Sequence, residues 1–111
     1  MVETCVIQLL VEDPSVLAAL SFSLSIDGFE IGESAQEAFV IDEGYGSDGV
    51  KVLEEMRAQG NRALVIVIAT HPNRQLRNRI SGCDAVLIEK PLMGDEISRT
   101  LTALRNPLKV A

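Results

Sequence analysis

The sequence predicts an α/β fold, a parallel sheet covered by helices on both faces. Three observations carry that prediction. Four short apolar runs, Cys5–Val11, Ala38–Ile41, Leu64–Ala69 and Ala85–Ile88, are rich in β-branched residues and do not alternate with polar ones. Runs of that length read as strands buried on both faces, which is how parallel sheets are built. The segments between most of them carry apolar residues at helical spacing, so strands and helices alternate along the chain. Finally, 111 residues at 47% hydrophobic are enough for one compact domain, residues 1–111, around a single core.

Each element has a local reason. After the first run, Asp13 is a plausible N-cap with Pro14 at the first helical position. Val16, Leu17, Leu20, Phe22 or Ser23, Leu24 and Ile26 then give a mostly apolar helix that stops at Asp27-Gly28. Phe29-Glu30-Ile31 is a short strand. The run ending at Ile41 meets Asp42-Glu43 and a glycine-rich loop, Gly44 to Gly49, which opens a helix with Val50, Leu53 and Met56 inward and Gly60 as its stop. The next strand breaks at His71-Pro72. A polar helix from Asn73 to about Ser81 turns Leu76 and Ile80 inward and Arg74, Arg77 and Arg79 outward. The fifth strand ends at Lys90-Pro91, and a last helix from near Gly94-Asp95-Glu96 buries Ile97, Leu101 and Leu104.

One segment breaks the alternation. Gly32 to Ala38 is too short for a parallel crossover with a full helix, which takes a dozen or more residues. The second helix of a regular five-unit fold is therefore expected to be missing or reduced to a turn.

Composition narrows the function. A net charge of -6 argues against non-specific nucleic-acid binding and against an anionic membrane surface, and fits a protein that meets cations or basic patches. No apolar run is long enough to span a bilayer. Met1 is followed by no basic leader region, so a cytoplasmic protein is expected. Cys5 and Cys83 show no metal-ligand spacing and read as two reduced core thiols.

If the strands lie parallel, Glu12-Asp13, Asp42, Thr70 and Lys90 all fall at one edge of the sheet, where open parallel sheets place their ligands. Crowded carboxylates repel unless a divalent cation neutralises them, and hard oxygen ligands of this kind suit Mg²⁺. Beside such a cation Asp42 could act as a carboxylate nucleophile toward phosphorus, with the Lys90 ammonium meeting charge on the transferred oxygens.

An acidic pair after the first strand (Glu12-Asp13), an aspartate ending the third (Asp42), a hydroxyl ending the fourth (Thr70) and Lys90-Pro91 after the fifth resemble the receiver domain of two-component response regulators, over essentially the whole chain. The resemblance implies a flavodoxin-like sheet of order 2-1-3-4-5. It implies phosphorylation of Asp42 by a sensor histidine kinase or phosphotransfer protein. Mg²⁺ would be held by Asp13, Asp42 and the Gly44 carbonyl, with Glu12 acting through water. Thr70 would bond the phosphoryl group and bias a switch. Such a protein is a phosphoacceptor with self-catalysed phosphotransfer at most, not an enzyme in the ordinary sense. No DNA-binding segment is expected after the last helix, so it would signal through protein–protein contacts.

The chain also departs from that family's pattern. The loop after Asp42 lacks the usual proline. Leu87 stands where members with a Thr–aromatic switch carry an aromatic. The two positions that tune loss of the phosphoryl group map to Gly44 and Pro72, whose side chains cannot orient an attacking water, so a long-lived phosphoryl-aspartate is expected. These departures leave an alternative, a pseudo-receiver that binds protein without phosphorylation. Homodimerisation is compatible with both readings, because reduced helical cover would leave apolar sheet exposed. A haloacid-dehalogenase-type phosphatase would need a second aspartate at position 44, where glycine stands. A flavodoxin or a low-molecular-weight phosphatase would need an anion-cradling loop at positions 12–13, where two acids stand.

Overall fold

A computed structural model describes residues 5–90 and 95–105 of the chain. Strands β1 (Val6–Leu10), β2 (Glu30–Ile31), β3 (Ala38–Asp42), β4 (Leu64–Ala69) and β5 (Val86–Glu89) form one sheet, and helices α1 (Pro14–Ile26), α2 (Gly49–Ala58), α3 (Arg74–Gly82) and α4 (Glu96–Arg105) surround it. All pairs are parallel and the strand order is β2-β1-β3-β4-β5. That is the order 2-1-3-4-5, with four helices among the described residues where a regular fold of this order has five.

The central strands face a core on each side because their side chains alternate between two packed layers. On one face Ile7, Val40, Ile66, Ile68 and Ile88 pack with Leu20 and Leu24 of α1 and Ile97 and Leu101 of α4. On the other, Phe39, Ile41, Val65 and Val67 pack with Val50 and Leu53 of α2 and Ile80 of α3. Each fully buried aliphatic side chain contributes about 1.5–3 kcal/mol, so these two layers dominate the stability. Burial also pushes the Cys5 thiol up from its ordinary value, keeping it protonated within the first layer. Cys83 differs from expectation: it is half-buried at the C-cap of α3, at the margin of the second layer.

The missing second helix is replaced by a bent segment, residues 32–37. Strand register explains how so few residues suffice. Ile31 and Ala38 both pair with Ile7 of β1, from opposite sides. The chain therefore steps sideways across β1, about 10 Å or two strand spacings, and does not retrace a strand's length. Gln36 Nε2 donates to Gln8 Oε1 at 2.7 Å, and the Glu37 amide donates to the Val6 carbonyl at 2.9 Å, so this segment is tied to β1.

That cover changes where apolar surface lies. Among the described residues the large exposed apolar side chains are Phe22 and Ile26, at 70% and 67% exposure. Both sit on α1 and not on the sheet, contrary to the exposed sheet expected from the sequence. No helix among the described residues is long and apolar enough to cross a membrane.

Local signals set the helix ends. Asp13 caps α1, its Oδ1 accepting from the amides of Ser15 and Val16 at 2.8 and 3.3 Å. Asn73 caps α3 through Leu76, and Asp48 caps α2 through Lys51. Each satisfies an amide that the first helical turn leaves without a partner.

Candidate functional site

The carboxyl ends of β1, β3, β4 and β5 lie side by side, so the polar residues that end the apolar runs gather along one edge. Leu10 pairs with Ile41, which puts Asp42 at the end of β3 and Asp13 three residues past the end of the neighbouring β1. Asp42 pairs with Ile68 and Ala69 with Glu89, which brings Thr70 between Asp42 and Lys90 in the order of the sheet.

The closest contact at this edge is an ion pair. Lys90 Nζ lies 2.7 Å from Asp42 Oδ2, reaching from the end of β5 past β4 to β3. Side-chain exposures of 29% for Lys90 and 17% for Asp42 leave the pair shielded yet open to solvent on one side. The other Asp42 oxygen, Oδ1, accepts from the Gly44 amide at 3.0 Å. The Lys90 backbone is fixed as well, its amide donating to the Ala69 carbonyl at 2.8 Å. Pro91, the other half of the sequence signal here, lies outside the described residues.

The loop after β3 is shaped by glycine. The Gly49 amide donates to the Glu43 carbonyl at 2.8 Å, folding the chain back on the strand end. A Cβ at Gly49 would run into the Asp42 carbonyl oxygen, so no other residue fits there without moving backbone. Between them a 3-10 turn, Tyr45–Ser47, passes through Gly46 at φ +58°, in the left-handed region that favours glycine. Its first bond runs from the Ser47 amide to the Gly44 carbonyl at 3.2 Å, and Tyr45 packs against the second core layer.

Thr70 is exposed, and its amide donates to Glu43 Oε1 at 3.0 Å. His71 follows in a left-handed conformation, φ +50°, as an exposed loop residue. Glu43 was visible in the sequence only as a second acid beside Asp42. Its partner, a backbone amide 27 residues away, carries no residue-type signature.

The donor types suit a hard cation. Asp13 and Asp42 offer carboxylate oxygens from adjacent strand ends, and Gly44 offers a carbonyl. Among the described residues, however, no group of three or more His, Cys, Asp or Glu side chains is gathered as a metal site. Glu12, Asp13 and Asp42 are thus not a closed acidic triad: Asp13 caps α1 through Oδ1, Glu12 is exposed, and Asp42 is paired with Lys90. What remains is an open set of two carboxylates and a carbonyl. That fits Mg²⁺, which takes one or two carboxylates and keeps several waters.

A second charged group flanks the site. Arg79 of α3 does not simply face solvent; it pairs with Glu54 Oε1 at 2.8 Å and Asp48 Oδ2 at 3.3 Å, joining α3 to the start and middle of α2. The hydrogen bond from Arg79 holds the Glu54 carboxyl below its ordinary value, and the bond to Glu54 raises Arg79 further. Arg77 pairs with Glu89 at 3.2 Å in an exposed position.

No family model matches the sequence, and no curated protein does. Solved structures match throughout. A CheY-like response regulator receiver domain protein from Methanospirillum hungatei superposes with a TM-score of 0.86 at 12% identity, over 96% of this chain and 98% of its own. The receiver domain of a Francisella response regulator gives 0.83 at 15% identity, over 96% and 99%. A response regulator receiver protein from Pseudoalteromonas atlantica gives 0.81 at 21% identity, over 93% and 98%. The chain has the receiver-domain fold. Within that receiver fold, Asp42, Thr70 and Lys90 occupy the strand ends at which the sequence pattern placed them.

Proposed function

We propose that the chain is a response-regulator receiver that accepts a phosphoryl group on Asp42. The donor is the phosphohistidine of a sensor kinase or phosphotransfer protein. The observation that carries this reading is the Asp42–Lys90 pair, 2.7 Å apart, formed at the carboxyl edge of a receiver sheet by residues 48 positions apart. A carboxylate nucleophile beside an ammonium supplies two parts of acyl phosphate formation, the attacking oxygen and a cation for the transferred charge.

In the transfer, an Asp42 carboxylate oxygen forms the new P–O bond as the P–N bond of the donor breaks, and the electron pair leaves with the imidazole. Lys90 attracts the charge on the equatorial oxygens, the role positively charged side chains take in phosphoryl transfer. Bound Mg²⁺ would neutralise further charge, held by Asp13, Asp42 and the Gly44 carbonyl with Glu12 acting through water. The Gly44 amide, already bonded to Asp42 Oδ1, keeps the carboxylate oriented. Thr70 supplies a hydroxyl to the phosphoryl group once it is formed. Gly44 and Pro72 give no side chain to direct water at the acyl phosphate, so hydrolysis is slow.

The test is phosphorylation by acetyl phosphate with Mg²⁺. The wild type gains one phosphoryl group and Asp42→Asn gains none. Equal labelling of both proteins would exclude Asp42 as the acceptor. Decay of the label within seconds in a radiolabel chase would contradict the slow hydrolysis.

A second reading rests on residues 32–37, which replace a helix, and on Leu87 packed in the second core layer in place of an aromatic. In that reading the chain is a pseudo-receiver that binds a partner protein without phosphorylation. A wild type that takes up no phosphoryl group from acetyl phosphate would favour it.

A further inference from the structure

The end of the β3–β4 ladder is not regular, and the irregularity falls on Thr70. In a parallel ladder, the residue after Asp42 donates its amide to one β4 carbonyl and accepts from the amide two residues further along β4. Glu43 makes the first bond, its amide donating to the Ile68 carbonyl at 3.0 Å. Its carbonyl, which would take the second bond, is instead occupied by the Gly49 amide at 2.8 Å. The Thr70 amide is left to the Glu43 side chain, and donates to Oε1 at 3.0 Å. A flexible, charged side chain thus replaces a fixed backbone acceptor at the point where the chain leaves β4.

We infer that Glu43 is a positioning residue whose carboxylate holds Thr70 in its resting place and releases it when Asp42 is modified. The release rests on the phosphoacceptor reading; the holding does not. Two physical features connect them. First, a bond made by a side chain can break without disturbing the ladder behind it, because the Glu43 amide and carbonyl keep their own partners. The next residue, His71, is in the left-handed region at φ +50°, so the backbone turns immediately after the bond. Second, Glu43 adjoins Asp42 in the chain, and converting the Asp42 carboxylate, with one negative charge, to an acyl phosphate, with up to two, adds about one negative charge there. Lys90, the one cation paired with Asp42 among the described residues, is already engaged before the change, so it does not offset the added charge. The Glu43 carboxylate is then repelled from the site edge while the Thr70 hydroxyl is drawn toward the phosphoryl oxygens. Both effects loosen the same bond.

The test follows the Thr70 amide by NMR in the wild type, Glu43→Gln and Glu43→Ala, with beryllofluoride and Mg²⁺ as the phosphoryl analogue. Without the analogue, Glu43→Ala raises solvent exchange of the Thr70 amide about tenfold, the value of a charge-assisted hydrogen bond. Glu43→Gln keeps a carbonyl acceptor and restores most of the protection. The Gly49 amide, bonded to the Glu43 main chain, stays unchanged in both and reports an intact fold. A Thr70 amide indifferent to Glu43→Ala overturns the holding role. With the analogue, wild-type Thr70 exchange rises to the Glu43→Ala level and the Ala variant shows no further rise. If the analogue shifts Asp42 and Lys90 while Thr70 stays protected, release is wrong although the acceptor reading stands. If Asp42 and Lys90 do not respond, the acceptor reading falls and release with it, while the effect of Glu43→Ala still decides the holding role.

Discussion

Arg57 at one end of the sheet and Lys90 at the other are long cationic side chains anchored in opposite ways. At the amino ends of β4 and β5, Arg57 donates to four backbone carbonyls: Cys83 at 2.7 Å, Asn61 and Ala63 at 2.9 Å, and Asp84 at 3.2 Å. At the carboxyl ends, Lys90 meets a single side chain, Asp42. Backbone carbonyls are permanent acceptors, present whatever the protein binds. A carboxylate is a nucleophile and can be modified. One edge is thus held by bonds that side-chain chemistry would not alter, while the other is held by a pair whose anionic partner is itself a reactive group. Arg presents its donors in a rigid fork, whereas Lys is a mobile point charge, and each residue type suits its edge.

Substitutions at the two ends of the sheet are expected to act differently. The largest loss of stability is expected from Arg57→Ala. Four hydrogen bonds at a net value of roughly 0.5–1 kcal/mol each give a loss of about 3 kcal/mol. A urea midpoint measures it, and phosphoryl uptake of the folded fraction is expected to stay near wild type. Gly49→Ala comes next, at about 2 kcal/mol from backbone overpacking. Because its Cβ meets the Asp42 carbonyl, it is expected to lower phosphoryl uptake as well, which Arg57→Ala does not. Lys90→Ala should cost about 1 kcal/mol or less, yet slow acetyl phosphate labelling by roughly 100-fold, as loss of one charge-stabilising donor does. Stability and chemistry thus dissociate in opposite senses at the two edges.

The smallest effect is expected at Arg79, whose partners are solvent-exposed. Arg79 holds the Glu54 carboxyl below its ordinary value, so the folded state binds that proton less tightly than the unfolded chain. The Glu54 contribution is therefore present above the unfolded carboxyl value of about 4.5 and is lost as pH falls through the lower folded value. Arg79→Ala should flatten the acid limb of the stability profile and leave neutral pH nearly unchanged, measured by urea unfolding across acidic pH. Salt should have the same flattening effect.

Much of this was legible because both signals are local. Apolar runs give strands, and the residues that end them, Asp13, Asp42, Thr70 and Lys90, are forced to one edge once the strands run parallel. The path from Ile31 to Ala38 was not legible. It depends on both residues pairing with Ile7, and register is a property of three strands together. The exposure of Phe22 and Ile26 was not legible, because α1 holds apolar residues on every side and no charged residue to mark its outer face. The open acidic set at the edge was not legible either: Asp13 was foreseen as an N-cap and as a ligand, and the cap bond, made through Oδ1, fixes which way its carboxylate is held. Arg57, Arg79 and Glu43 act on partners distant in sequence or on backbone atoms, which leave no residue-type trace.

The central claim is that Asp42 and Lys90 form one phosphoryl-receiving centre at the edge that Arg57 does not hold. An amide NMR titration with Mg²⁺ and then beryllofluoride tests it most directly. The account predicts shifts concentrated at Asp42, Thr70 and Lys90, with the amides around Arg57, Asn61 and Asp84 unmoved. A spectrum that stays silent at Asp42 and Lys90 would contradict it.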